Sequence, residues 1–500
     1  MPLTWLSLVP PLIVIGSVYF THQLNISLVV GILSAALIAT QGGVIPALLL
    51  SEQKFVTHFS DWDNIYMYLL LVVMSSLIIL LTVTGAAAGC AQIIGKKMRT
   101  KRSVECSTIM LSFLLSIDDY LSILTVGFVM KPIADRVAVA RTKIAYIVHA
   151  LAGPLVIIMP ISTWAAAILV QLDNAGIHLN APHKIIADPL SVYLKTIPFI
   201  FYSLLVVGSV CCVVIFRVAY GLIARDEHNA IAVDEHTDNL NHNHSLLELL
   251  MPLMIFIGGI FIGVLYAGNH HHTFLIFLLS GLSALIVSIC FALYKHMISL
   301  VQIPALIYEG AVVMRSSIMM VAFASILGSF LRIELQTGSY VAYLLLGTLS
   351  LWLVPVMLFI VSLIITLTTG SAWGTFSLLI PIMTQMLIAL LQLETPVTLD
   401  QIPLLFPALG AVLSGAACGN HVSPIAETTI MTATSTGIEP LQHAKSQFYY
   451  VAPVMVGTLA SFFVVGLLYN SGFYKSFVVS FGVGAAVSGL MFIAANYWKK

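Results

Sequence analysis

Apolar runs of about 20 residues recur along this 500-residue chain, each long enough to cross a hydrocarbon core of roughly 30 Å as a helix. Two of these runs are interrupted by residues that lipid scarcely tolerates: Ser116-Ile117-Asp118-Asp119-Tyr120, and Gly419-Asn420-His421-Val422-Ser423-Pro424-Ile425-Ala426-Glu427-Thr428-Thr429. A carboxylate at mid-bilayer costs about 3 kcal/mol or more, so it persists where it faces a partner, a substrate or a water-filled path. Hydrophobic residues make up 59% of the chain and charged residues 8%, with a mean hydropathy of +1.02. A soluble protein of this length needs more polar surface. The expected class is an all-α polytopic membrane protein, and a formal charge of zero gives no sign of a nucleic-acid partner.

Full spans are expected near residues 3–20, 26–49, 64–84, 144–170, 196–222, 248–267, 273–294, 313–333, 404–432, 448–470 and 475–497, about 11 transmembrane helices. The stretches 103–130 and 341–384 do not fit as simple spans. Lys96, Lys97, Arg99, Lys101 and Arg102 precede the first; Lys131, Arg136, Arg141 and Lys143 follow it. Basic flanks stay cytoplasmic, so this stretch must enter and return on one side, as a re-entrant hairpin with Asp118 and Asp119 near its tip. Such backbone is allowed at depth only when protein or a watery cavity surrounds it. The second hairpin has Thr368-Thr369-Gly370-Ser371-Ala372-Trp373-Gly374-Thr375 near its tip. Glu394 and Asp400, with no basic residue, place its following loop on the outer face.

The two halves correspond. Thr84-Gly85 precedes the first hairpin as Thr337-Gly338 precedes the second, and an interrupted span follows each: Gly153-Pro154 through Pro160-Ile161-Ser162-Thr163, and Gly419 through Pro424. Five crossings separate equivalent spans, and an odd number inverts the second copy, the arrangement of many secondary transporters. The organisation expected is N-terminal helices over 1–63, a first inverted repeat over 64–222, and a polar cytoplasmic linker over 223–247. The remaining helices with the second repeat occupy 248–470, and a C-terminal helix 471–500. Histidines in the linker (His228, His236, His242, His244) and in the outer loop at His270-His271-His272 match no zinc spacing and read as solvated. The six cysteines lie in or beside apolar segments and read as small buried residues. With no basic residue ahead of its apolar run, Met1 to Phe20 reads as a retained helix and not a signal peptide.

Consecutive residues on a helix point about 100° apart, so Asp118 and Asp119 could share a ligand only at an unwound tip. Close carboxylates and partial burial also suit one of them to carrying protons. The alternative reading makes one aspartate the cap of the helix that follows. Ser423-Pro424 resembles a half-helix start, serine as N-cap and proline in the first turn, with Glu427 just inside; Ser162 and Thr163 before Trp164 play the equivalent part. Thr369 and Ser371 add hydroxyls at the second tip. His149, in an apolar span, is either a titrating group or a hydrogen-bonded packing residue. Trp164 and Trp373 read as packing residues, and Glu309 and Arg315 as solvated anchors flanking the 313–333 span. No His-Glu-x-x-His motif or paired nucleophile points to an enzyme.

These residues resemble the NhaC-type sodium/proton antiporter family of the ion-transporter superfamily. The resemblance rests on Asp118-Asp119-Tyr120, Asp135-Arg136, Lys143 to Val148, Ile161-Ser162-Thr163-Trp164, Gly370 to Phe376, Gly419-Asn420-His421, Ser423-Pro424-Ile425 and Thr428-Thr429, in order across roughly 64–470. It implies exchange of Na+ for H+, with no cofactor beyond the transported ions; some members couple organic acids such as malate and lactate instead. The chain departs from the family at Asn420, His149 and Glu427, where aspartate is usual. The resulting expectation is a secondary active antiporter of a bacterial cytoplasmic membrane, working by alternating access. A carrier of a small organic acid or amino acid on the same scaffold is the alternative. The cargo site is expected at Asp118, Asp119, Ser162, Thr163, Thr369, Ser371, Asn420, Ser423 and Glu427, and protons at Asp118, Asp119, His149 and Glu427. The partners are the lipid bilayer, an inorganic cation and the proton, with a small organic acid and a homodimer left open.

Overall fold

The computed structural model describes residues 4–21, 23–86, 98–179, 185–232, 246–267, 273–345 and 349–497. Cys90, Lys96, Lys97, His236, His242, His244 and His270–His272 lie outside them. Among the described residues nine helices are long and apolar enough to cross a membrane, ten if Pro189–Phe199 and Phe201–Ile215, bent by 48°, form one span. The chain opens with α1 (Val9–Thr21), α2 (Leu24–Ala39), α3 (Val44–Ser60) and α4 (Trp62–Val83). The span expected over 26–49 is thus two helices. Gln41 and Gly42 take φ of 56° and 86°, a left-handed turn that ends α2.

The first hairpin consists of α5 (Lys101–Leu114) and α6 (Asp119–Arg136). Thr100 and Ser103 form a capping box at its start. Its base is stapled on the basic side, where Arg141 pairs with Asp135 at 2.7 Å and Lys143 with Glu105 at 2.7 Å. Next come α7 (Arg141–Ile158) and α8 (Thr163–Asn174), separated by an unwound Met159–Ser162. Gly153 and Pro154 stay within continuous helix, so the break falls later than their residue types suggest. It occurs where Pro160 has no N–H to offer and Ser162 starts a new helix by accepting from the Ala165 N–H at 3.0 Å.

The middle of the chain holds α9 (Pro189–Thr196), α10 (Phe201–Ile215), α11 (Gly221–Asn229), α12 (Leu246–Ala267), α13 (Thr273–Tyr294) and α14 (Ile303–Ser329). α14 begins ten residues ahead of the expected 313–333 span, with Pro304 in its first turn, so Glu309 and Arg315 are exposed residues inside the helix. α15 (Thr337–Leu345) is a separate helix, pressed so closely to its neighbour that a Cβ on Gly338 would lie 2.4 Å from the Ile382 carbonyl oxygen. The second hairpin is therefore α16 (Val354–Thr369) and α17 (Ala372–Leu390), later than the 341–384 read from hydropathy. Completing the chain are α18 (Leu405–Val422), α19 (Glu427–Thr436), α20 (Pro440–Leu467) and α21 (Phe473–Tyr497).

Every residue of α7 from Thr142 to Ile157 is buried, as is every residue of α8 from Thr163 to Leu172. α18 is equally enclosed, and glycines make this possible. A Cβ on Gly415 would meet the Phe359 carbonyl oxygen at 2.5 Å, and one on Gly419 the Thr366 Cβ at 2.6 Å, so α16 and α18 touch backbone to backbone. Three two-residue strands, β1 (Ile177–His178), β2 (Ile185–Ile186) and β3 (Val397–Thr398), form a small parallel sheet in the order β1-β2-β3. It ties the segment after α8 to the loop after α17. Of the described cysteines only Cys418 is buried; Cys106, Cys212 and Cys290 face outward, which in a membrane still gives a thiol an apolar neighbour.

Candidate functional site

Four helices begin at one place: α6 at Asp119, α8 at Thr163, α17 at Ala372 and α19 at Glu427. Each start follows a break in the chain, and the residues of the breaks hold one another. Asp118 caps α6, accepting from the Leu121 N–H at 2.9 Å, while its other oxygen accepts from Thr163 Oγ1 at 3.0 Å. The Thr163 N–H donates to the Ile117 carbonyl at 3.1 Å, so the first tip and the first broken span are joined by backbone as well. Asp118 is therefore both a cap and a bridge between elements. In the second half Gly370 turns the tip with φ 73°, and a Cβ there would sit 3.0 Å from the Ile425 carbonyl oxygen. Asn420 Nδ2 donates to the Gly370 carbonyl at 3.2 Å, and Ser423 Oγ to the Leu367 carbonyl at 3.0 Å. The halves meet where the Tyr120 hydroxyl donates to Glu427 Oε2 at 2.7 Å.

Between these starts lies a partly open cavity of about 200 Å³, lined by Asp119, Trp164, Thr369 to Trp373, Asn420, Glu427 and Thr428, together with Asn25, Ser316, Ser317 and Met320. Asp119 is 2% exposed; the Trp164 indole N–H interacts with its carboxylate, but its Oδ2 makes no well-formed hydrogen bond among the described residues. A buried carboxylate oxygen left unpartnered calls for an explanation, and a site for a cation or proton supplies one. Ser371 caps α17 through the Gly374 N–H at 3.2 Å and donates to Met320 Sδ. Trp164 and Trp373, both buried, pack edge-on with centroids 5.9 Å apart along the cavity wall.

Of the nine residues expected to hold cargo, the fold brings Asp119, Thr369, Ser371, Asn420 and Glu427 to the cavity. Asp118, Ser162 and Thr163 stand one layer behind, holding the breaks in place. Ser423 does not cap α19 as expected. It ends α18, its carbonyl accepts from Thr429 Oγ1 at 2.8 Å, and α19 starts after an extended Ala426. Pro424 and Ile425 form the turn between, so the sequence pattern for a capped half-helix sits one turn too early.

Directly behind the cavity lie three buried histidines. His149 Nδ1 is 2.9 Å from His443 Nε2 and 3.1 Å from Gln447 Oε1, while its Nε2 is 3.1 Å from Thr428 Oγ1. The His421 ring lies 4.8 Å from that of His149 and bonds the Tyr202 hydroxyl. Thr428 Oγ1 in turn donates to Asn420 Oδ1 at 2.7 Å. Of the three, only His149 stands among the proton sites expected from the sequence.

A model of the Na+/H+ antiporter family matches residues 156–467. A protein of Haemophilus influenzae, described only as uncharacterized, is 26% identical over 491 residues, 93% of this chain and 91% of its own length. A malate-2H+/Na+-lactate antiporter of Bacillus subtilis is 31% identical over 111 residues, 22% of this chain and 21% of that one. Among solved structures, the YdaH transporter of Alcanivorax borkumensis superposes with a TM-score of 0.54 at 16% identity, covering 85% of this chain and 89% of its own. MtrF of Neisseria gonorrhoeae, ascribed to a class of antimetabolite efflux pumps, gives 0.51 at 14% identity over 89% and 85%. At such identities these two likenesses speak for the fold alone.

Proposed function

This chain belongs to the Na+/H+ antiporter family of multi-pass membrane transporters, and from that premise we propose that it exchanges Na+ for H+ across a bacterial cytoplasmic membrane by alternating access. Like its relatives it is a secondary transporter and not an enzyme. One observation carries the choice of cargo. The only charged side chains lining the cavity, among the described residues, are the carboxylates of Asp119 and Glu427. A monovalent cation about 4 Å from one carboxylate gains about 4 kcal/mol at an effective dielectric of ~20. That corresponds to about a thousandfold in affinity. The same oxygens bind protons, so cation and proton compete for the site, and competition at a site open to one side at a time is exchange. The recurrence of hairpin and broken helix supports two inverted copies that rock about this point.

The test is exchange in proteoliposomes, with internal pH followed by a trapped dye while Na+, Li+ or K+ is added outside. Asp119→Asn is expected to abolish Na+-driven proton movement at unchanged protein level. Full exchange by that variant sinks the assignment.

A second reading keeps the scaffold and adds a small organic acid. A cavity of about 200 Å³ is far larger than a bare cation, and four helix N-termini open on it, a favourable setting for a carboxylate. The Bacillus subtilis relative carries malate and lactate by its name. Counterflow of labelled malate or lactate that requires Na+ would favour this reading.

A further inference from the structure

We propose that His149 is a proton-binding site of this transporter, and that its charge state is relayed to the cavity by a single hydroxyl, that of Thr428, which serves either His149 or Asn420 but not both. The inference deepens the exchange reading above and rests on it for the identity of the cargo.

The Asn420 amide has one end 3.2 Å from the Gly370 carbonyl oxygen, which can only accept, so the NH2 group must be there. Its Oδ1 therefore faces Thr428 at 2.7 Å, and the one hydroxyl hydrogen of Thr428 goes to it. Gln447 is fixed in the same way, because its NH2 meets the His421 carbonyl oxygen and its Oε1 is left facing His149 Nδ1 at 3.1 Å. Each ring nitrogen of His149 thus looks at an oxygen that has no hydrogen to give, while His443 Nε2, nearer to Nδ1 than Gln447 Oε1, donates or accepts according to its tautomer. Nδ1 faces Gln447 Oε1, with His443 Nε2 also at 2.9 Å, and Nε2 faces a Thr428 oxygen whose hydrogen is already committed. A neutral imidazole carries one N–H and can satisfy only one of the two; an imidazolium carries two and satisfies both. A second proton on His149 serves both oxygens, with His443 Nε2 accepting beside Gln447 Oε1 and His443 Nδ1 left without a partner among the described residues.

Loss of that proton to water has a defined consequence. The remaining hydrogen stays on Nδ1, because giving it up would strand Gln447 Oε1 in a residue that is 0% exposed. Nε2 then holds a lone pair, and the donor beside it is the Thr428 hydroxyl. When that hydroxyl turns to His149 it leaves Asn420 Oδ1, and Asn420 lines the cavity. An amide oxygen is thereby released toward a cation. The charged ring and the cargo exclude one another through one hydrogen atom, without touching. The titratable neighbours are His443 from α20 and His421 from α18, the latter bonded to Tyr202 of α10, with Cys418 a turn away on α18. No carboxylate pairs with the three rings among the described residues.

Two measurements on purified full-length protein test this. In the first, binding of radiolabelled Na+ is followed against pH. Wild type and Thr428→Ser are expected to release about one more proton per cation bound than either His149→Gln or Thr428→Val, and the double variant is expected to lose no more than the singles. An unchanged proton count in His149→Gln overturns the proposal. The second needs no cargo: 15N NMR of histidine-labelled protein, with His149→Gln identifying the signal. Two protonated nitrogens at low pH and an Nδ1–H tautomer above the titration are expected. A ring that stays neutral from pH 4 to 10, or keeps its hydrogen on Nε2, overturns the proposal. Wild-type protein that binds no Na+ at any pH refutes the cation reading, and the NMR result then still decides the role of His149. Elution as a single species in detergent shows which variants are folded.

Discussion

Thr163→Val isolates one bond in the joint between the first tip and the first broken span. Thr163 is 3% exposed, and valine has nearly its shape, so packing is preserved. Its N–H bond to Ile117 and the Asp118 bond to the Leu121 N–H both survive, leaving only the 3.0 Å bond from Oγ1 to Asp118 Oδ2 to be lost. A hydrogen bond to a charged group contributes about 1.5–3 kcal/mol, and Asp118, whose oxygen its loss strands, is 1% exposed. If cargo selects the joined geometry, a loss of about 2 kcal/mol raises the half-saturating Na+ concentration roughly 30-fold. Flux of labelled Na+ into proteoliposomes measures it, with thermal unfolding in detergent as a second reading of the same bond. Thr163→Ser keeps the hydroxyl and should behave as wild type. A valine variant matching wild type in both half-saturation and melting temperature refutes the claim that Asp118 is held from α8.

Lys143 bridges buried Glu105 and partly buried Glu227, at 2.7 and 2.9 Å; Lys143→Met unpairs both and should destabilise the protein by about 3–5 kcal/mol, chiefly through Glu105. Lys143→Met with Glu105→Leu should recover most of that in detergent melting curves, and a double variant no better than the single would show that the pair is not the cause. At the other end of the molecule, His58 bonds the Tyr68 hydroxyl at 2.6 Å, and burial lowers its pKa to about 4, with Asp61 opposing the shift. A depressed histidine favours the neutral form in the fold, so its stabilisation is whole above the ordinary value near 6.5 and is lost as pH falls from there toward about 4, by about 3 kcal/mol in the limit. The melting temperature should fall over that window in wild type and much less in His58→Gln.

The hairpins and broken helices were legible because charge and backbone chemistry mark them locally. Lys131, Arg136 and Arg141 on one flank and Lys101 and Arg102 on the other leave a chain no way across, and Pro160 with Ser162 marks a restart. The second hairpin was displaced because no charge brackets it, so hydropathy alone ran α15 into α16. The histidine layer was missed for a different reason. The segment Gln442 to Gln447 is polar on average and reads as the approach to a span, yet His443, Ser446, Gln447 and Tyr450, at helical spacing, are all 0% exposed. A hydropathy window averages over that face, whereas its period would have shown it. The bond from Tyr120 to Glu427 joins residues 307 apart in the chain and has no local signature at all.

The small parallel sheet bears on how such a molecule can move. β2 is shared: it pairs with β1 on one side, from the segment that follows α8, and with β3 on the other, from the loop that follows α17. Both helices run to this clasp from the cavity, one from each broken or re-entrant unit. Backbone pairing there joins the two units at that end of the molecule, and swinging them apart would break it. If exchange proceeds by alternating access as proposed, the clasp favours a gate at the opposite, lysine- and arginine-rich end, with the clasped pair shifting as one body against Asn25, Ser316 and Met320.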